Sequence, residues 1–143
     1  MKRICDHLME TYPEEGCGLL VGEDQQGLRR VVHAAAVENG ATEGRTRRYD
    51  IPAERFLEEE RRARAAGLDV VGFFHSHPGH PPEPSGFDRE RAWPYYSYLI
   101  VAVEADRVRE IRCWKMQRED GELEPQLWSV ETDAPQSFRE HAR

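Results

Sequence analysis

Apolar residues concentrate in three short blocks: "CGLLVG" at Cys17–Gly22, "DVVGFF" at Asp69–Phe74 and "YLIVAV" at Tyr98–Val103. Each has strand length and is flanked by turn formers or polar residues, the pattern of buried strands. Ile4, Leu8, Met9 and Tyr12 recur at helical spacing, so a helix is predicted over Lys2–Tyr12, stopped by Pro13. "QQG" reads as a turn and Leu28–Val37 as the strand that follows it. "ENGATEGRTRR" is loop-like, and "YDI" is predicted as a short strand. Pro52 opens a helix over about Ala53–Ala66, with Gly67 as its stop. The strand "DVVGFFH" leads into a proline-rich loop, and Ser85 then suits the N-cap of a short helix through about Ala92. Ser97–Glu104 and Val108–Met116 are predicted strands joined by "ADR", and Leu123–Val130 is a last one in which Pro125 restricts pairing. Helices alternate with strands early and strands run consecutively late. The expected fold is therefore a single α/β domain, a mixed β-sheet with helices packed on it, over residues 1–131, with a frayed tail at 132–143.

Composition narrows the function. At 143 residues the chain suits one domain. Its formal net charge of −7 is opposite in sign to that of a generic phosphate-backbone binder, so no nucleic-acid partner is expected. No apolar run approaches the roughly 20 residues of a membrane span, and the N-terminus lacks the apolar stretch of a signal peptide. Cys5, Cys17 and Cys113 are odd in number and widely spaced; they form no disulfide framework and no C-x-x-C site, which suits a reducing cytoplasm. Cys17, inside an apolar block, is read as packing. Trp93, Tyr95, Tyr96 and Tyr98 are read as core and rim.

The chemistry concentrates in "FFHSHPGHPPEPSGFD", Phe73–Asp88. His75 and His77 end a predicted strand, and the two-residue period puts both imidazoles on one face with Ser76 on the other. Pro78 stops the strand, and the loop returns to Asp88 after ten intervening residues. Two imidazoles and a carboxylate make three ligands of a tetrahedral zinc site with the fourth position open, the catalytic arrangement. Against this, an H-x-H pair alone is commonly structural, and Ser85-x-x-Asp88 also matches a capping box, whose residues merely start a helix. His80 and Glu83 are read as loop or rim.

In combination these residues resemble the JAMM, or MPN-plus, zinc metalloprotease motif H-x-H-P-x6-S-x-x-D at every defined position, and "PEEGCGLLVG" is similar to the family's N-terminal acid motif. "YDIPAERFLEEERRARAAGLDVVGFFHSHP" and "YSYLIVAVE" look like the compact prokaryotic branch, so the resemblance spans roughly Pro13 to Val103. It implies a curved mixed β-sheet flanked by helices, related to the cytidine-deaminase fold. It also implies His75, His77 and Asp88 as ligands of one zinc ion per chain, Glu15 as general base and acid, and Ser85 as an oxyanion donor. Glu14 competes for the acid's role, and spacing to Cys17–Gly18 favours Glu15.

The activity implied is cleavage after the C-terminal Gly-Gly of a small ubiquitin-like or sulfur-carrier protein. Glu38–Tyr49 is a candidate edge for holding the substrate tail, with Arg45, Arg47 and Arg48 available to an acidic partner. Two alternatives stay open: a small-molecule zinc amidohydrolase on the related fold, and a non-catalytic scaffold of the same family.

Overall fold

The computed structural model describes residues 1–119 and 121–131. It contains α1 (Lys2–Thr11), β1 (Cys17–Gln25), β2 (Leu28–Val37), α2 (Ala53–Ala65), β3 (Asp69–Pro78), α3 (Gly86–Arg91), β4 (Ser97–Glu104), β5 (Arg107–Met116) and β6 (Leu123–Gln126). The strands form one six-stranded sheet in the order β2-β1-β3-β4-β5-β6. Among the described residues only β3 and β4 pair in parallel; α3 and its flanking loops make the crossover between them. The other neighbours are antiparallel.

The sheet is buried on both faces over its central strands. On one face Ile4 and Leu8 of α1 meet Leu20, Val71, Phe74, Leu99, Val101 and Val103. On the other, Ala63 of α2 and the half-buried Phe56 and Phe73 meet Leu19, Val21, Val37 and Val70. This two-sided burial is why β1, β3 and β4 read as continuous apolar runs rather than alternating ones. The β1–β3 register steps from Leu20↔Gly72 to Val21↔Val70, so Val71 is an extra residue, a bulge. Beyond it, Phe73 shares the face of α2 while Phe74 turns to α1. By the same alternation His75 and His77 follow Phe73, and Ser76 follows Phe74.

Two glycines are demanded by the backbone. A side chain at Gly18 would collide with the Phe74 ring and the Ala35 carbonyl, so the strand beside His75 accepts only hydrogen there. Gly67 ends α2 with φ +74°, in the left-handed region.

Three expectations change. "YDI" forms no strand: the Asp50 amide donates to the Asn39 side chain and its carbonyl accepts from Gly40, so a side chain replaces a partner strand. β6 stops at Gln126 rather than Val130, and Pro125 lies on this edge strand, where no further strand needs its missing N–H. Glu38–Tyr49 is a loop beyond β2 and offers no strand edge. Arg45 is consumed in folding it, donating to the Asn39 and Ala41 carbonyls and to Glu14. The tail expected at 132–143 lies outside the described residues. Among those described, no helix is long and apolar enough to cross a membrane.

Candidate metal centre

Two elements, β3 and α3, supply a cluster at the C-terminal end of β3. His75 and His77 project from that strand and are both about 1% exposed. Asp88 comes from the first turn of α3, half-buried. His75 Nε2 lies 3.3 Å from His77 Nε2 and 3.3 Å from Asp88 Oδ2, and His77 Nε2 lies 3.0 Å from the same oxygen. Ligands on a tetrahedron with zinc bonds of about 2.05 Å stand roughly 3.3 Å apart. Three donor atoms therefore already occupy the face of such a tetrahedron.

Their hydrogen bonding points the same way. The Pro81 carbonyl, 2.7 Å from His77 Nδ1, can only accept, so Nδ1 carries a proton. In a neutral ring Nε2 is then a lone pair aimed at a carboxylate oxygen. A positive charge must lie between them, either a proton that makes imidazolium or a cation. One cation satisfies Nε2 of both rings and Oδ2 at once, and this donor set fits zinc.

The charges follow. Burial pushes the His75 imidazole down, toward the neutral, ligating form. Burial also opposes charge on His77, but the Asp88 carboxylate and the Pro81 carbonyl outweigh it and raise that ring. Burial would raise Asp88; hydrogen bonds from the two histidines reverse this and hold its carboxyl well below the usual range.

The alternatives for Ser85 and Asp88 hold together rather than compete. Ser85 Oγ accepts from the Asp88 amide at 3.0 Å, and the Ser85 amide donates to Asp88 Oδ2 at 2.9 Å, a complete capping box. The oxygen that caps α3 is the oxygen that faces the histidines. The cap thus fixes the carboxylate's orientation, as a second layer of hydrogen bonds does around metal ligands. The Ser85 hydroxyl accepts in this arrangement and keeps its own hydrogen to donate.

Glu15 and Glu14 separate cleanly. Glu14 turns outward to pair with Arg45 at 3.1 Å, its side chain 44% exposed. Glu15 is 2% exposed, and its Oε1 is buried without a hydrogen-bond partner. Its carboxyl oxygen and ring nitrogens of His77 and His80 all lie within 4.8 Å of one another. Burial above all, and Asp88 nearby, push the Glu15 carboxyl up to about 8, with His77 pulling the other way.

Three residues that hold the site were not singled out in the sequence. The Ser76 amide donates to the Gly16 carbonyl at 3.1 Å, and its hydroxyl accepts from the Gly16 amide at 2.9 Å. The pair locks the residue after Glu15 to the residue between the two histidines. Asn39 Nδ2 donates to the Glu15 carbonyl at 3.0 Å. Tyr49 stacks on His75, ring centroids 4.4 Å apart. A serine trapped between two strand-end histidines is a readable signal; Asn39 before Gly40 resembles an ordinary turn. Ser76→Ala strands a buried amide and is expected to cost about 1–3 kcal/mol, measured by urea unfolding. A wild-type midpoint would refute the clamp.

His80 also sits closer than a rim residue. Its ring stacks on His77, with centroids 4.2 Å apart and planes 21° apart. Glu83 is at the rim, exposed and 3.6 Å from Arg112. Cys17 is fully buried, its thiol pushed up to about 12 by burial, and is no nucleophile. An apolar pocket of about 540 Å³ opens beside Asp88, lined by Tyr49, Phe56, Phe73, Phe87, Trp93 and Tyr96 among others. Phe87 and Arg91 line it, and Arg48 and Arg91 both lie over the Phe87 ring.

The chain is similar to several known proteins. The chain is 45% identical over 93 residues to a desampylase of Haloferax volcanii, and 34% identical over 102 residues to a desampylase of Pyrococcus furiosus. These matches cover 64% and 70% of this chain and 65% of each relative. A solution structure from Salinibacter ruber superposes with a TM-score of 0.67 at 34% identity, over 94% of this chain and 93% of that one. Another from Desulfitobacterium hafniense gives 0.77 at 26% identity, over 93% and 90%. Residues 1–117 match the model for prokaryotic homologs of the JAB domain. With that match over most of its length, the chain belongs to the prokaryotic branch of the JAB (JAMM/MPN) family.

Proposed function

We propose that the protein is a zinc-dependent peptidase or isopeptidase that cleaves after the C-terminal Gly-Gly of a small ubiquitin-like or sulfur-carrier protein. The observation that carries this reading is the convergence of His75 Nε2, His77 Nε2 and Asp88 Oδ2 within 3.3 Å of one another, with the buried Glu15 carboxyl beside them. The desampylase relatives point to the same class of substrate.

His75, His77 and Asp88 would hold the ion. When bound, zinc polarises a carbonyl and brings the pKa of a bound water down to about 7. Glu15 takes up the water's proton and passes it to the leaving amine; its buried position excludes competing solvent. Ser85 donates its free hydroxyl hydrogen to the carbonyl oxygen as negative charge grows there. Tyr49 and the Pro81 carbonyl fix the orientations of the His75 and His77 rings, and Ser76 and Asn39 hold the two ends of the peptide that follows Glu15.

The test is a carrier extended by a few residues beyond its Gly-Gly, or joined there to an amine. Mass spectrometry should find the product ending in Gly-Gly. A chelator should stop the reaction and added zinc restore it, and a bulky residue in place of the penultimate glycine should block it. Turnover of small amides with no such carrier cut would transfer the reading to an amidohydrolase. Bound zinc with no hydrolysis of either would leave a scaffold.

A further inference from the structure

We propose that Glu15 and His80 form a second, weaker divalent-cation site beside the first, and that its occupation by zinc switches the enzyme off. A Glu15 oxygen and ring nitrogens of His77 and His80 lie within 4.8 Å of one another. Both His77 nitrogens are committed: Nδ1 to the Pro81 carbonyl, Nε2 to the cluster with His75 and Asp88. The donors left over are Glu15 and His80.

Each has an unspent lone pair. Glu15 Oε1 is buried with no partner. His80 Nδ1 lies 3.0 Å from the Pro78 carbonyl, which can only accept, so Nδ1 carries the proton and the neutral ring keeps its lone pair on Nε2. The stack on His77 fixes the plane of the His80 ring at no cost in further contacts. A carboxylate oxygen and an imidazole nitrogen are both ordinary zinc ligands. Two protein donors are fewer than the three of the first site, and His80 is exposed where His75 and His77 are buried. The second ion therefore binds less tightly, with solvent completing its shell. Once there, it claims the carboxylate that the proposed reaction needs for proton transfer. This last step rests on the function proposed above; the binding itself does not.

Equilibrium dialysis of the full chain against rising zinc, with metal analysis, tests the site. One tight equivalent and then a second weaker one are expected, and carrier cleavage should fall as the second fills. His80→Phe keeps a ring on His77 and removes the nitrogen; it should hold one equivalent and lose the inhibition by excess zinc. Glu15→Gln should likewise lose the second equivalent and keep the first. A single equivalent at every zinc concentration overturns the proposal, as does a second equivalent that persists in His80→Phe. Those results leave the catalytic reading untouched, which fails instead if no tight equivalent binds or no carrier is cut.

Discussion

Replacing His75 and His77 together by alanine is expected to abolish tight zinc binding and, with it, all measurable hydrolysis. The pair supplies two of the three donor atoms that stand about 3.3 Å apart; among the described residues Glu15 and His80 are the other donors beside them, and two such donors hold an ion only weakly. Cys17 is the nearest soft ligand on the paired strand, opposite His75, but its thiol is held protonated by burial and donates to the Val37 carbonyl. Loss of even the outer hydrogen bonds around a metal costs about 10–100-fold in affinity; loss of two ligands should leave no stoichiometric metal after dialysis. Folding has to be checked separately, because both rings are fully buried and their removal opens space beside Tyr49. Circular dichroism and a cooperative urea transition answer that. A folded double variant that retains one zinc per chain would remove these residues from the metal assignment.

The sequence was most legible where a single physical rule decided the outcome. β2 and β4 match their predicted ranges, Leu28–Val37 and Ser97–Glu104, to the residue, and α2 stops where Gly67 supplies a positive φ. His75 and His77 share a face because strand alternation leaves no choice, and the bulge at Val71 lies upstream of both and does not disturb it. Legibility failed where a side chain substitutes for backbone pairing. "YDI" has the composition of a strand, but Asn39, through both atoms of its amide, satisfies Ala41, Asp50, Glu15 and Arg48 and leaves that stretch without need of a neighbour. Arg45 looked free for a partner because its three acceptors, the Asn39 and Ala41 carbonyls and the Glu14 carboxylate, come together only in the folded loop. His80 was hidden for a related reason. Its stacking on His77 depends on the turn at Gly79, φ +77°, which no periodicity encodes.

Glu15→Gln is expected to keep the first zinc and slow hydrolysis by at least about 100-fold, the low end of what a positioned acid–base group contributes. The substitution preserves shape and removes only the ability to take and return a proton. Glu15 is not among the three donors that converge on one point, so the metal content of that site should stay at one per chain. Its neighbour provides the control. Glu14→Gln breaks a half-exposed pair with Arg45, an interaction worth about 0–1 kcal/mol, and should leave the rate near wild type. The metal-free chain gives a second readout. Burial raises the Glu15 carboxyl to about 8 in the folded state from an ordinary value of 4.5. A raised folded value means the folded chain binds this proton more tightly than the unfolded chain. The corresponding stability is full below about pH 4.5 and is lost as pH rises toward 8. Gln cannot ionise, so the variant should lack that decline in chelator-treated protein, read from urea midpoints across the range. A Glu15→Gln protein that turns over at the wild-type rate would take the proton-transfer role away from this carboxylate. If Glu14→Gln then proved to be the slow variant, the outward-facing acid paired with Arg45 would have to swing in to do the chemistry.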